Sequence, residues 1–175
     1  ALIYTVSAVG GIITLVIALL LYFSSVKEKA YAFEMEAYNY YYNINLKNPL
    51  SEIERWKKSL ELFQKAVETK PTPWAQFYVG NSYSNLGDYN NAIKAYLIFI
   101  DKYKNEEEAL PLVYQKLAAN YIKAGKGDEA IKTLNALAQF KNGIFKDTAL
   151  ILEARYYESA GKQEDAVKKY KELVK

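Results

Sequence analysis

The chain has 175 residues, with 23 Lys and Arg against 20 Asp and Glu and neither His nor Cys. Without imidazole or thiol there is no His base, Cys nucleophile, disulfide or common structural zinc site, and no cofactor is implied. A net charge of +3 with no basic run points away from nucleic acid.

The first element is apolar. Residues 1–26 carry no Asp, Glu, Lys or Arg, so every charge falls between Lys27 and Lys175. The run from Leu2 to Phe23 suits a bilayer crossing, which takes about 20 apolar residues. Tyr4 near one end and Tyr22 and Phe23 near the other match interfacial aromatic belts. A cleavable signal peptide fits less well, because no basic leader precedes the run, no small-residue cleavage site follows it, and the helical pattern continues. Residues 1–26 are therefore expected to be a transmembrane anchor helix. Ser7, Gly10 and Gly11 lie within it, and Ser7 and Gly11 form a small-xxx-small pair that a second helix can approach closely. The sequence opens at Ala1 rather than Met, which fits either an omitted leader or a processed start.

A Tyr-rich connecting helix is expected over 27–48, running to Lys47 and stopped by Pro49. Tyr31, Met35, Tyr38 and Tyr42 recur at helical spacing, with Phe33, Ala37 and Tyr41 alongside. So dense an aromatic stripe predicts contact with the repeats that follow or with a second chain. Ser51 and Glu54 then read as a capping box opening a helix to about Thr69, with Ile53, Trp56, Leu60, Phe63 and Val67 on one face. Lys70-Pro71-Thr72-Pro73 ends it.

Residues 50–175 read as helical hairpins: a degenerate one to 71, then three over about 74–104, 109–142 and 146–175. Ala92, Ala130 and Ala166 recur at intervals of 38 and 36. Gly80, Ala118 and Ala154 would let the first helix of each pair approach its partner, and Tyr83, Tyr121 and Tyr157 would fill the space beside the turn. Gly87, Gly125 and Gly161 are expected at the turns, where a left-handed backbone suits glycine. Asn142-Gly143 and Glu106-Glu107-Glu108 fall between hairpins, the glutamates favouring a positive helix start over metal binding.

With three hairpins of this pattern, residues 74–175 resemble the tetratricopeptide repeat family, whose unit is about 34 residues. The departures are Gln76 at the usual Trp site, Trp74 two residues earlier, and Lys126-Gly127, which loosens the second turn. The resemblance implies an all-α fold, an N-terminal apolar transmembrane-type helix continuing into a helical-hairpin solenoid. It also implies a concave groove lined by Trp74, Phe77, Asn81, Ser84 and Asn85, then by Leu112, Gln115, Ala119, Ile122 and Lys123. Asn81 and Asn85 could grip a peptide backbone. The groove offers too few cations for a terminal carboxylate, so an apolar or extended segment is expected.

An apolar span followed by a Tyr-rich helix and repeats is similar to the membrane-anchored tetratricopeptide proteins that are ancillary subunits of the bacterial Sec translocon. That likeness implies a single-pass membrane protein whose repeats lie outside the cytoplasm and bind a membrane-bound chaperone and the translocon. The expected function is a non-enzymatic interaction module or scaffold for export or membrane-complex assembly. The rival is a self-assembling extracellular filament subunit, because type IV pilins also begin with an apolar helix that continues into the globular part. For either, Ser7, Gly10, Gly11, Tyr31, Tyr38, Tyr42, Tyr170 and Leu173 are the candidate helix-packing or self-association residues. The last helix adds an apolar edge at Val167, Tyr170, Leu173 and Val174, with no polar cap after it.

Overall fold

The computed structural model describes residues 2–44, 46 and 50–174, with side chains from Gly11 onward. Ala1, Pro49 and Lys175, and the side chains of Ser7 and Gly10, lie outside the described residues. Among the described residues there are eight α-helices, one 3₁₀ turn and no strand. They are α1 (Leu2–Tyr42), α2 (Glu52–Thr69), α3 (Pro73–Asn85), α4 (Tyr89–Lys102), α5 (Leu110–Lys123), α6 (Gly127–Gln139), the 3₁₀ turn Phe140–Gly143, α7 (Lys146–Ser159) and α8 (Gln163–Glu172). Two compact units result, residues 1–75 and 76–175.

In the first unit α1 is one uninterrupted helix of 41 residues. It stops at Tyr42, short of the Lys47 expected from sequence. Asn43 turns left-handed, its amide donating to Tyr40 O at 3.3 Å and that of Ile44 to Asn39 O at 2.8 Å. Asparagine tolerates this conformation and closes the helix as glycine usually does. Helix α2 begins with the expected capping box: the Ser51 amide donates to Glu54 Oε2 at 2.9 Å and the Glu54 amide to Ser51 Oγ at 3.3 Å. The Ser51 hydroxyl bond also holds the Glu54 carboxyl below its ordinary pKa.

Helix α2 folds back against the end of α1. Arg55 Nη1 donates to Tyr40 O at 3.3 Å, the Phe63 ring meets Tyr38 edge-on at 5.1 Å, and Thr72 Oγ1 donates to Glu34 Oε2 at 3.2 Å. Ala30 and Ala37 are buried on α1, as are Ser59, Leu62, Phe63 and Ala66 on α2. Of the predicted α2 face, Phe63 is buried and Ile53 is exposed. The Ala37–Tyr41 row of α1, not the Tyr31–Met35–Tyr42 row, lies on the packed side.

In the second unit the helices pair as three hairpins whose turns share one geometry. Gly87 has φ +78°, its amide donates to Ser84 O at 3.1 Å, and the Asp88 amide donates to Tyr83 O at 2.9 Å. The same two bonds recur after Tyr121 and Tyr157, closing on Lys126 and Lys162 at 2.8 Å in each case. The residue after each glycine is the N-cap of the next helix, with no spare loop between. Asp88 Oδ1 caps that start by accepting from the Asn91 amide at 3.2 Å, whereas Lys126 and Lys162 provide no capping oxygen.

Packing follows from the small residues. A Cβ on Gly80 would stand 2.6 Å from the Tyr96 ring, so glycine is what lets α3 and α4 touch. Phe77, Tyr96, Phe99, Val113 and Leu117 form one apolar cluster, and Ala118, Leu134, Leu137 and Ala149 another. Gln76, at the site where a Trp was expected, is buried and donates through Nε2 to Ala95 O at 2.9 Å. The glutamates before α5 do not cap it: its first turn holds no acidic residue, and Glu107 instead pairs with Lys141 at 2.8 Å. Lys141, Asn142 and Gly143 all have positive φ there, and make the sharp passage from α6 to α7.

Candidate protein-interaction cleft

Helix α5 turns Val113, Leu117 and Ala118 into the core and leaves Gln115, Ala119 and Ile122 facing α7. Helix α7 buries Ala149, Leu150, Glu153 and Ala154, and presents Leu152, Arg155, Tyr156 and Ser159 on the opposing wall. Between them runs an open cleft of ≈ 180 Å³ with Ala118 and Leu134 at its base. The short side chains of Ala118 and Ala119 make the space; Ile122, Leu152 and the Tyr156 ring give it an apolar lining. Arg155 is the one cation among the lining residues, and it makes no ion pair among the described residues. Ser159 Oγ is engaged, donating to Tyr156 O at 2.8 Å.

Gly127 has a role here that its place in the sequence conceals. A Cβ at this position would collide with the Tyr156 hydroxyl. The residue read as a loosened turn is the first of α6, and its missing side chain makes room for the cleft-wall tyrosine. Behind the wall the buried Glu153 carboxylate meets Lys169 of α8 at 2.6 Å, with only 2% of the Glu153 side chain exposed. That bond raises the Lys169 pKa above the ordinary lysine value.

Of the predicted groove residues, the structure brings Gln115 and Ile122 together with Ala119 in this cleft. Lys123 stands at the end of α5 with its ammonium 5.3 Å over the Tyr89 ring. Two expectations are corrected by burial. Phe77, 4% exposed, is core between Tyr96 and Phe99, and Asn81 is not open to a peptide because its Oδ1 accepts from the Tyr96 hydroxyl at 2.7 Å. Asn85 is the exposed last residue of α3, and Trp74, in the first unit, is also exposed. Leu152, Arg155 and Tyr156 were not predicted, although the successive repeat intervals of 38 and 36 that lead from Asn81 to Ala119 lead on to Arg155.

Among the self-association candidates, Gly11 has open space where a Cβ would stand, and Tyr31 and Tyr42 are exposed. Tyr38 is partly core of its own unit: its ring packs on Phe63 and its hydroxyl donates to Glu34 Oε1 at 3.0 Å. Tyr170 is half-buried and donates to Glu158 Oε2 at 3.1 Å, and Leu173 is half-buried just past α8. Val167 and Val174 leave the apolar edge of the last hairpin exposed. Helix α1 is the one described helix long and apolar enough to cross a membrane. No group of three acidic, His or Cys residues suited to a metal occurs among the described residues.

The tetratricopeptide repeat family matches residues 74–106, the hairpin of α3 and α4. A solved structure described as the crystal structure of MamA shares the fold, with a TM-score of 0.56 and 22% identity over 70% of this chain and 69% of that one. Comparison with curated proteins gave no match.

Proposed function

We propose that this chain is a membrane-tethered interaction module without catalytic activity, in which α1 crosses the bilayer and the second unit receives a segment of another protein. The α5–α7 cleft carries the reading. Its apolar walls and single cation suit a short apolar segment bearing a carboxylate, and it holds no convergent acid, base and nucleophile. The repeat match over residues 74–106 supports an interaction role, and the exposed apolar stretch from Ile12 to Phe23 supports the anchor. A membrane complex, chaperone or translocon subunit outside the cytoplasm is the partner class proposed.

A photo-crosslinking residue placed at Ala119 tests this in intact membranes. Crosslinks to a polypeptide of different sequence are expected from Ala119 and not from the exposed Lys132 on α6, and their loss with Ile122→Arg ties them to the cleft. Equal labelling from both positions would remove the cleft from the proposal. The second reading, a filament subunit, is favoured by the exposure of Ile12 to Phe23 on every side of α1. It requires crosslinks between copies of this chain and fibres visible by electron microscopy.

A further inference from the structure

We propose that the turn between α2 and α3, with Trp74 at its edge, rests in the lipid headgroup layer and gives the first unit a second contact with the membrane; this rests on reading α1 as a span. Helix α1 is unbroken from Leu2 to Tyr42, so position along it converts to height above the bilayer at about 1.5 Å per residue. The uncharged run ends at Val26, which puts the edge of the hydrocarbon at or just below that residue. Glu34 then stands about 12 Å above the edge, less any tilt of the helix.

Thr72 is fixed at that height from both sides. Its Oγ1 donates to Glu34 Oε2 at 3.2 Å and accepts from the Ala75 amide at 3.1 Å, so the end of α2 and the first turn of α3 are pinned together beside α1. The headgroup layer is roughly 5–8 Å thick on each side of the bilayer. The few ångströms that remain are within reach of Lys70 and Trp74, since long amphipathic side chains extend to place a polar end among headgroups. Exposure agrees with this. Trp74 is 48% exposed and Tyr31, between Val26 and Glu34 on α1, is 63% exposed. Large aromatics with one polar atom are poor choices for open water and favourable ones at a membrane surface.

Charge identifies which part of the surface is recognised. Lys27, Lys29 and Lys70 are matched at this level by Glu28, Glu34 and Glu68. With no net positive field, attraction does not depend on anionic lipid, and the occupant is the zwitterionic headgroup layer itself, entered by aromatic rings.

The test uses the full chain carrying Trp56→Phe, which leaves Trp74 as the sole tryptophan, reconstituted into phosphatidylcholine vesicles. Lipid brominated close to the ester carbonyls is expected to remove about half of the Trp74 emission, with aqueous iodide having little effect. Emission quenched by iodide and indifferent to brominated lipid would overturn the proposal. A Leu15→Trp reporter in the Trp56→Phe, Trp74→Phe background reads the span separately, since position 15 lies about 16 Å inside the Val26 edge. If it is quenched by bromine deep in the acyl chains while Trp74 is not, only the headgroup contact is wrong; if it too is unquenched, the span reading fails.

Discussion

Gly80 and Tyr96 claim the same space from two helices, and the glycine yields it. Helix propensity alone would make Gly80→Ala stabilising by about 1 kcal/mol. The 2.6 Å approach to the Tyr96 ring reverses the sign, because the ring cannot swing away without stretching its 2.7 Å hydrogen bond to Asn81. A net loss of about 1–2 kcal/mol is expected in urea unfolding of the second unit, with partial recovery when Tyr96→Leu is added. The turns offer a contrasting case. Asp88→Ala removes a side-chain cap and should cost about 1 kcal/mol, whereas Lys162→Asp supplies one to a helix start that lacks it and should raise stability by a similar amount. Unchanged melting temperatures in both would show that these ends are satisfied by solvent. Gly87, Gly125 and Gly161 were legible in the sequence because a helix end needing positive φ selects glycine at a fixed place in each hairpin. The role of Gly127 was not, since the atom it avoids belongs to Tyr156 in the next hairpin and only the folded chain brings them together.

Helices α7 and α8 are joined by an ion pair in which Glu153 is buried and Lys169 is partly covered. Lys169→Met would leave the carboxylate without its counter-charge and should destabilise the second unit by about 3 kcal/mol, and Glu153→Leu added to it should restore much of the loss. The pair also has a pH signature. Lys169 is raised above its ordinary value by the bond to Glu153, so its contribution is complete below the unfolded lysine pKa of about 10.4 and is lost as pH rises through the folded value. Burial raises the Tyr103 and Tyr121 hydroxyls as well, and they weaken the fold in the same alkaline direction. Unfolding midpoints at neutral and strongly alkaline pH should therefore fall more in the native chain than in Lys169→Met, where only the tyrosine part remains. The helices themselves were readable from apolar periodicity and from Ser51, Gly87, Gly125 and Gly161. What each helix packs against was less so. Periodicity marks an apolar face without naming its partner, which is why Phe77 and Asn81 read as groove residues. The end of α1 falls short of Lys47 for a local reason: Asn43 closes the helix as a glycine would, upstream of Pro49.

For the whole molecule the decisive feature is that α1 is continuous from Leu2 to Tyr42. A chain beginning near Lys29 should leave the membrane fraction, and retention at high salt would locate the anchor elsewhere. The cleft was only half legible at this scale, because its far wall depends on extending the repeat register to α7. Continuity has a further consequence, which concerns torsion. Where no joint separates the apolar half of a helix from the half that carries the fold, the two share one angular phase, and under the proposed span α1 would work as a crankshaft. One alanine inserted after Lys27 would rotate the part of the fold built on the second half of α1, including α2, by about 100° relative to the apolar half, and raise it by about 1.5 Å. Seven would return the phase to within about 20° while lifting it by about 10 Å. An interface that extends from the span to Tyr31 and Tyr42 should thus fail with one inserted residue and recover with seven. Contact of Trp74 with headgroups depends on height instead and should be lost with seven, so insertion length alone separates the two kinds of attachment.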